Sequence, residues 1–148
     1  MADTKTRTRT PRFNHVAMSV DRELLGPEGR ADLLRFVGEV FGWEELPTMT
    51  TDHKRLVLSA WTHEQFVFLH GSDEPMRCSP EDHFGLSVGS LQELEDLRAR
   101  ALAFGEGDDR VTVTEQEVED FGPLKLHSFY VTYLLPLTIE VQHFEYPS

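Results

Sequence analysis

An internal repeat constrains this chain more than any other feature. Residues 15–20 read His-Val-Ala-Met-Ser-Val, and residues 83–88 read His-Phe-Gly-Leu-Ser-Val. In an extended backbone the first copy puts His15, Ala17 and Ser19 on one face and Val16, Met18 and Val20 on the other. The second copy sorts His83, Gly85 and Ser87 against Phe84, Leu86 and Val88 in the same way. A strand with one apolar face and one small or polar face packs helices on the first and lines a cavity with the second.

Each copy leads into a helix pattern. After the first, Gly26-Pro27 offers proline at an early helical position, and Leu33, Leu34, Val37, Val40 and Phe41 form an apolar stripe that stops at Gly42. After the second, Ser90 and Glu93 have capping-box spacing, followed by Leu91, Leu94, Leu97, Ala101 and Phe104 and a stop at Gly105. Both helices are thus predicted to end on a Phe-Gly pair. Three β-like segments follow each helix, at 43–49, 55–60 and 65–70, then at 111–118, 125–133 and 137–144. A Gly-, Ser-, Asp- and Pro-containing stretch around 71–80 separates the halves. The order βαβββ therefore occurs twice, in an α+β chain.

Composition limits the partners. The 148 residues suit one domain that needs no disulfide or structural metal to fold. With 14 Lys+Arg against 26 Asp+Glu, the formal charge is −12, which argues against nucleic acid or an anionic membrane surface as partner. The one cysteine, Cys78, leaves no intramolecular disulfide and no cysteine-rich zinc site, and fits a reducing cytoplasm. No apolar run approaches the roughly 18 residues of a spanning helix. The polar, locally basic start (Lys5, Arg7, Arg9) is expected to be a flexible arm over residues 1–11. One domain follows at 12–146, built of module one (12–71), a linker (72–80) and module two (81–146).

The last strand carries the other informative residue. Thr138, Glu140 and Gln142 share one face, opposite Leu137, Ile139 and Val141. A mid-strand carboxylate on a covered face needs a partner, and His15 and His83 supply either that partner or a shared cation. Phe66, Phe68 and His70 alternate onto one face as an apolar wall. The other histidines are expected elsewhere: His53 and His63 in exposed turns, His127 on the face of Phe129 and Val131, and His143 opposite in parity to Glu140. Cys78 reads as a bystander.

With these residues in place, the chain resembles the vicinal oxygen chelate superfamily over about residues 12–146. That group includes glyoxalase I, extradiol dioxygenases, methylmalonyl-CoA epimerase and the bleomycin- and fosfomycin-resistance proteins. The likeness rests on paired βαβββ modules, a His early in the first strand of each and a Glu in the final strand. The helix end Arg35-Phe-Val-Gly-Glu-Val-Phe-Gly-Trp-Glu44 adds to it. The resemblance implies a cupped, mostly antiparallel eight-stranded sheet with helices outside, around one divalent metal held by His15, His83 and Glu140. Moving the last strand back by 72 residues sets Phe68 opposite Glu140, so the chain resembles the three-ligand members rather than those with a fourth donor. Two His and one carboxylate favour Fe2+, with Mn2+, Ni2+, Co2+ or Zn2+ as other choices. Such an ion polarises a small oxygenated metabolite that chelates it through neighbouring oxygens. Tyr130, ten residues before Glu140, and His70 are the catalytic candidates, and Phe66, Phe68 and Gln142 the substrate-binding ones. The expectation is a homodimeric enzyme of oxygenase type. Isomerase, lyase or epimerase chemistry through an enolate, or a non-catalytic drug- or metabolite-binding protein, is the alternative. Loops 49–53 and 105–110 are expected to set the size of the pocket.

Overall fold

The computed structural model describes residues 10–51 and 53–147, so Lys5, Arg7 and Arg9 of the expected arm lie outside the described residues. The first half contains β1 (His15–Asp21), α1 (Pro27–Phe41), β2 (Glu44–Glu45), β3 (Arg55–Ser59) and β4 (Phe66–Ser72), with strand order β1-β4-β3-β2. The second contains β5 (His83–Ser87), α2 (Leu91–Gly107), β6 (Thr112–Val113), β7 (Glu117–Asp120), β8 (Lys125–Thr132) and β9 (Thr138–Glu145). Its order is β5-β9-β8-β6, with β7 also on β8. In each half the first strand pairs in parallel with the last, and the other pairings are antiparallel.

The repeat's alternation sets both sheets' faces. Val16 and Met18 stand beside Val67 and Leu69, which stand beside Leu58 and Leu56. In the second sheet Phe84 and Leu86 stand beside Ile139 and Val141, then Val131 and Phe129. These faces meet the buried stripes of α1 (Leu33, Phe36, Val37, Val40) and α2 (Leu94, Leu97, Ala101, Phe104) in one core. Phe36 packs edge-on to Phe104 at 5.2 Å, which joins the helices of the two modules. The polar faces of both sheets are left on the side away from the helices.

Several elements differ from the sequence expectation, each for a local reason. The strand expected at 43–49 shrinks to Glu44–Glu45, because Pro47 lacks a ladder donor and opens a 3-10 turn at Pro47–Met49. The strand expected at 111–118 breaks into β6 and β7. Tyr130 N–H donates to the Thr114 hydroxyl, a side chain standing in for the next ladder carbonyl, and pairing resumes only at Glu117. The outcome is nine strands among the described residues, in sheets of four and five, and β1 and β5 are edge strands. α2 runs past Gly105 to Gly107, and Arg110 then bonds Asp32 of α1. Half of the expected 105–110 pocket loop is therefore helix end, and Arg110 ties the rest to the helix layer.

Candidate metal and ligand site

Register brings the polar residues of the second repeat together. Gly85 lies beside Glu140, which lies beside Tyr130, and His83 is next to Thr138 one step along the same face. His83 Nε2 stands 3.4 Å from Glu140 Oε1. His83 Nδ1 is 2.8 Å from the Glu81 carbonyl, which can only accept, so the proton sits on Nδ1 and Nε2 faces the carboxylate. Gln142 donates its amide to Glu140 Oε1 at 2.8 Å and fixes the carboxylate's rotamer. Glu140 is only 6% exposed. A Cβ on Gly85 would lie 4.0 Å from the same oxygen, so the missing side chain keeps room there.

Tyr130 completes this group. Its ring meets the His83 ring edge-on at 5.4 Å. The Glu140 carboxylate as hydrogen-bond acceptor, then burial, then the nearby charges of Glu140, Glu117 and Glu119 push its phenol up to about 12. The phenol is therefore a neutral donor at ordinary pH rather than a base.

The other candidates stand on the first sheet. His15 stacks on Phe66 at 4.8 Å, and its Nδ1 meets Asn14 Oδ1 at 2.7 Å. Both rings line a groove of about 800 Å³ that also touches Phe84 and Leu86 at the edge of β5. Phe68 and His70 continue along the same face, with their rings 6.1 Å apart. His83, Glu140, Tyr130 and Gln142 thus come together, whereas His15, Phe66, Phe68 and His70 form a second set across the groove. His83 and Glu140 fit two donors of a divalent-ion site. Among the described residues no three His, Cys, Asp or Glu side chains gather closely enough to hold a metal, so His15 is not yet a third donor in this arrangement.

The sequence reading missed part of the surroundings. A cavity of about 640 Å³ over the second sheet is lined by His83, Tyr130, Thr112, Thr114, Thr132 and Thr138, with Cys78 to Glu81 of the linker along its rim. Cys78 therefore lines this cavity. Hydroxyl side chains on short strands have no periodic signature, and the linker's position depends on how it crosses between modules. His127 falls on the expected face, away from the site, buried against His143 with its ring nitrogens lacking hydrogen-bond partners among the described residues.

No family model and no curated protein matches the chain. Solved structures do. A glyoxalase/bleomycin resistance protein/dioxygenase from Alicyclobacillus acidocaldarius is similar with a TM-score of 0.64 at 16% identity, over 92% of this chain and 94% of that one. A lactoylglutathione lyase from Agrobacterium tumefaciens has a TM-score of 0.60 at 15% identity, over 91% and 95% of the two chains. A fosfomycin resistance protein from Listeria monocytogenes has a TM-score of 0.59 at 13% identity, over 90% and 93%. No helix among the described residues is long and apolar enough to cross a membrane. At such identities the likeness lies in the backbone: the chain has the fold of these glyoxalase, bleomycin-resistance and dioxygenase-type structures.

Proposed function

We propose that the chain is a metal-dependent enzyme of the glyoxalase and dioxygenase type, acting on a small oxygenated metabolite. The observation that carries this reading is the approach of His83 Nε2 to Glu140 Oε1, 3.4 Å apart at a buried carboxylate. With its Nδ1–H given to the Glu81 carbonyl, His83 turns Nε2 toward that oxygen, and the pair calls for a cation or a proton between them. His83 and Glu140 would hold a divalent ion, with His15 the third donor from across the groove and Fe2+ the first choice. When bound, such an ion polarises two neighbouring oxygens of a substrate.

The chain's own residues have separate tasks in this reading. Glu81 orients His83, and Gln142 orients Glu140. Tyr130, kept as a phenol, donates a hydrogen bond or a proton rather than removing one. Phe66 and Phe68 receive the apolar part of the substrate, and His70 is the group left to accept a proton on that wall. Oxygenase-type chemistry ranks before enolate chemistry because Phe68, beside Ala17, holds the place that Glu140 holds beside Gly85, so β4 adds no donor. A specific observation favours a second reading, a ligand-binding protein without catalysis: His15 is not gathered with His83 and Glu140.

Metal content after anaerobic purification tests this. The expected result is about one ion per chain, reduced at least about tenfold in His83→Ala and Glu140→Gln and lowered in His15→Ala. Unchanged stoichiometry in the first two variants overturns the site. Metal-free protein that still binds small aromatic ligands establishes the second reading.

A further inference from the structure

A second imidazole–carboxylate pair stands on the helix-facing side of the second sheet, where β8 and β9 end, on the opposite face from His83 and Glu140. His127 is 7% exposed, and neither of its ring nitrogens has a hydrogen-bond partner among the described residues. A buried imidazole is costly unless its nitrogens are used. Its neighbour on β7 is the apolar Val118, and its neighbour on β9 is His143. Glu145, two residues beyond His143, is opposite Lys125 in register but makes no ion pair with that lysine among the described residues. Its Oε1 stands instead 3.5 Å from His127 Nε2, a diagonal contact across the ladder.

His143 is prepared in the same sense. Its ring lies 6.0 Å from that of His127, and its Nδ1 is 3.3 Å from the Val88 carbonyl. That oxygen can only accept, so the proton sits on Nδ1 and Nε2 keeps its lone pair. Two donor atoms each about 2.1 Å from a tetrahedral ion are about 3.4 Å apart, which matches the 3.5 Å between His127 and Glu145. The three side chains are not gathered as they stand, and His143 closes on the other two by a shift of its ring. We infer that His127 and Glu145, with His143 as third donor, form a second divalent-cation site, suited to an ion such as Zn2+ that takes imidazole and carboxylate together. Mg2+ and Ca2+, which take oxygen ligands, do not suit it. The ion fastens the end of β9 to β8, and through His143 to Val88 before α2. The inference is independent of the proposed function. A site of three donors at a half-exposed edge exchanges its ion readily, so it does not enter the ion count expected of the first.

Zinc titration of the chelator-treated full chain tests this, in the His83→Ala/Glu140→Gln background so that the first site takes no part. Calorimetry is expected to count about one Zn2+ per chain, with no competition from excess Mg2+. Glu145→Gln and His143→Ala are each expected to weaken binding at least about tenfold, and His127→Gln to abolish it. Affinity falls between about pH 7.5 and about pH 5.5, as protons compete for the imidazoles. Because His127 is buried and its variant can fail to fold, nitrogen-15 NMR of the histidine rings supplies a readout without it. Zn2+ is expected to move the ring signals of His127 and His143 and to leave those of His53 and His63 in place. Uptake unchanged in both Glu145→Gln and His143→Ala, or ring shifts at other histidines in place of these two, overturns the inference. So does the absence of zinc uptake, which would mean that His127 and Glu145 share a proton only.

Discussion

A carboxylate in the middle of β9 is costly unless its oxygens are used, and Glu140 faces His83, the Gln142 amide and, across the ladder, Tyr130. The last of these makes a measurable prediction. Tyr130 is pushed up to about 12 chiefly by the Glu140 carboxylate, and Tyr133 up to about 12 chiefly by burial, with Asp108 adding to it. Unfolded tyrosine ionises near 10. Between these values the unfolded chain has released protons that the native chain still holds, so stability is complete below pH 10 and falls as pH rises toward 12. Tyrosinate absorbance of the native protein should show two of its three tyrosines titrating late. Tyr130→Phe and Tyr133→Phe should each remove one late step, and an unchanged late phase in Tyr130→Phe would refute the contact with Glu140. At this scale period-two parity put Glu140 with Gln142 and gave His83 its polar face, the resemblance singled out Tyr130, and the strand register brings the four onto one face. Parity says nothing about the gap between two modules, so the position of His15, stacked on Phe66, relative to His83 and Glu140 was not legible in the sequence.

The two helices show how the same local signal ends differently when tertiary partners differ. Phe41-Gly42 and Phe104-Gly105 read alike, and both were expected to stop a helix. Gly42 does so: it takes φ +73 and its N–H bonds the Gly38 carbonyl at 3.0 Å, while Trp43 N–H reaches back to Val37. Gly105 instead stays helical, and the chain turns only at Asp108, whose carboxylate is held by Arg110 and Tyr133. No pattern within a single helix reports that capture. The start of α2 was legible, because Ser90 accepts from Glu93 N–H at 3.1 Å and the Glu93 carboxylate returns to Gly89 N–H at 2.7 Å. Ser90→Ala should therefore cost about 1 kcal/mol in chemical denaturation, and Ser90→Gly only a few tenths. Gly42→Ala meets no atom within 4 Å, so its loss is purely conformational, roughly 1–2 kcal/mol with the slope against denaturant unchanged. A neutral result at Gly42 would show that the turn relaxes away from its left-handed geometry.

At the scale of the whole molecule the modules are joined on the helix side, by an apolar contact and by a polar strut. Phe36 of α1 lies against Phe104 and stacks on Tyr133 at 4.5 Å. Around that contact Arg110 makes a two-point bond to Asp108 at 2.8 and 2.7 Å and reaches Asp32 of α1 at 3.0 Å. The Tyr133 hydroxyl donates to Asp108 at 2.7 Å. The repeat predicted that two such modules exist, but the residues that fasten them are not repeated, so the strut was not legible from either copy. Its charges set an acid limit on stability. Arg110 first, and Tyr133 after it, hold the Asp108 carboxyl well below the usual carboxylate range. Below an unfolded value of about 3.9 the unfolded chain takes up a proton there and the native chain does not. Stability from this group is therefore fully present above pH 4 and is lost as pH falls toward its native value. Asp108→Asn should lower the unfolding free energy at pH 7 and flatten the acid limb, so that the gap between native protein and variant narrows from pH 4 down to pH 2. Tyr133→Phe removes one hydrogen bond to that carboxylate and should cost about 1–2 kcal/mol at pH 7. It should leave part of the acid dependence, since Arg110 still holds Asp108. A gap for Asp108→Asn that stays constant from pH 7 to pH 2 would mean that the carboxylate serves the fold only by its shape. The modules would then be held by the shared apolar core and by the bonds of Arg110 to Asp32 and of Arg100 to the Val40 carbonyl.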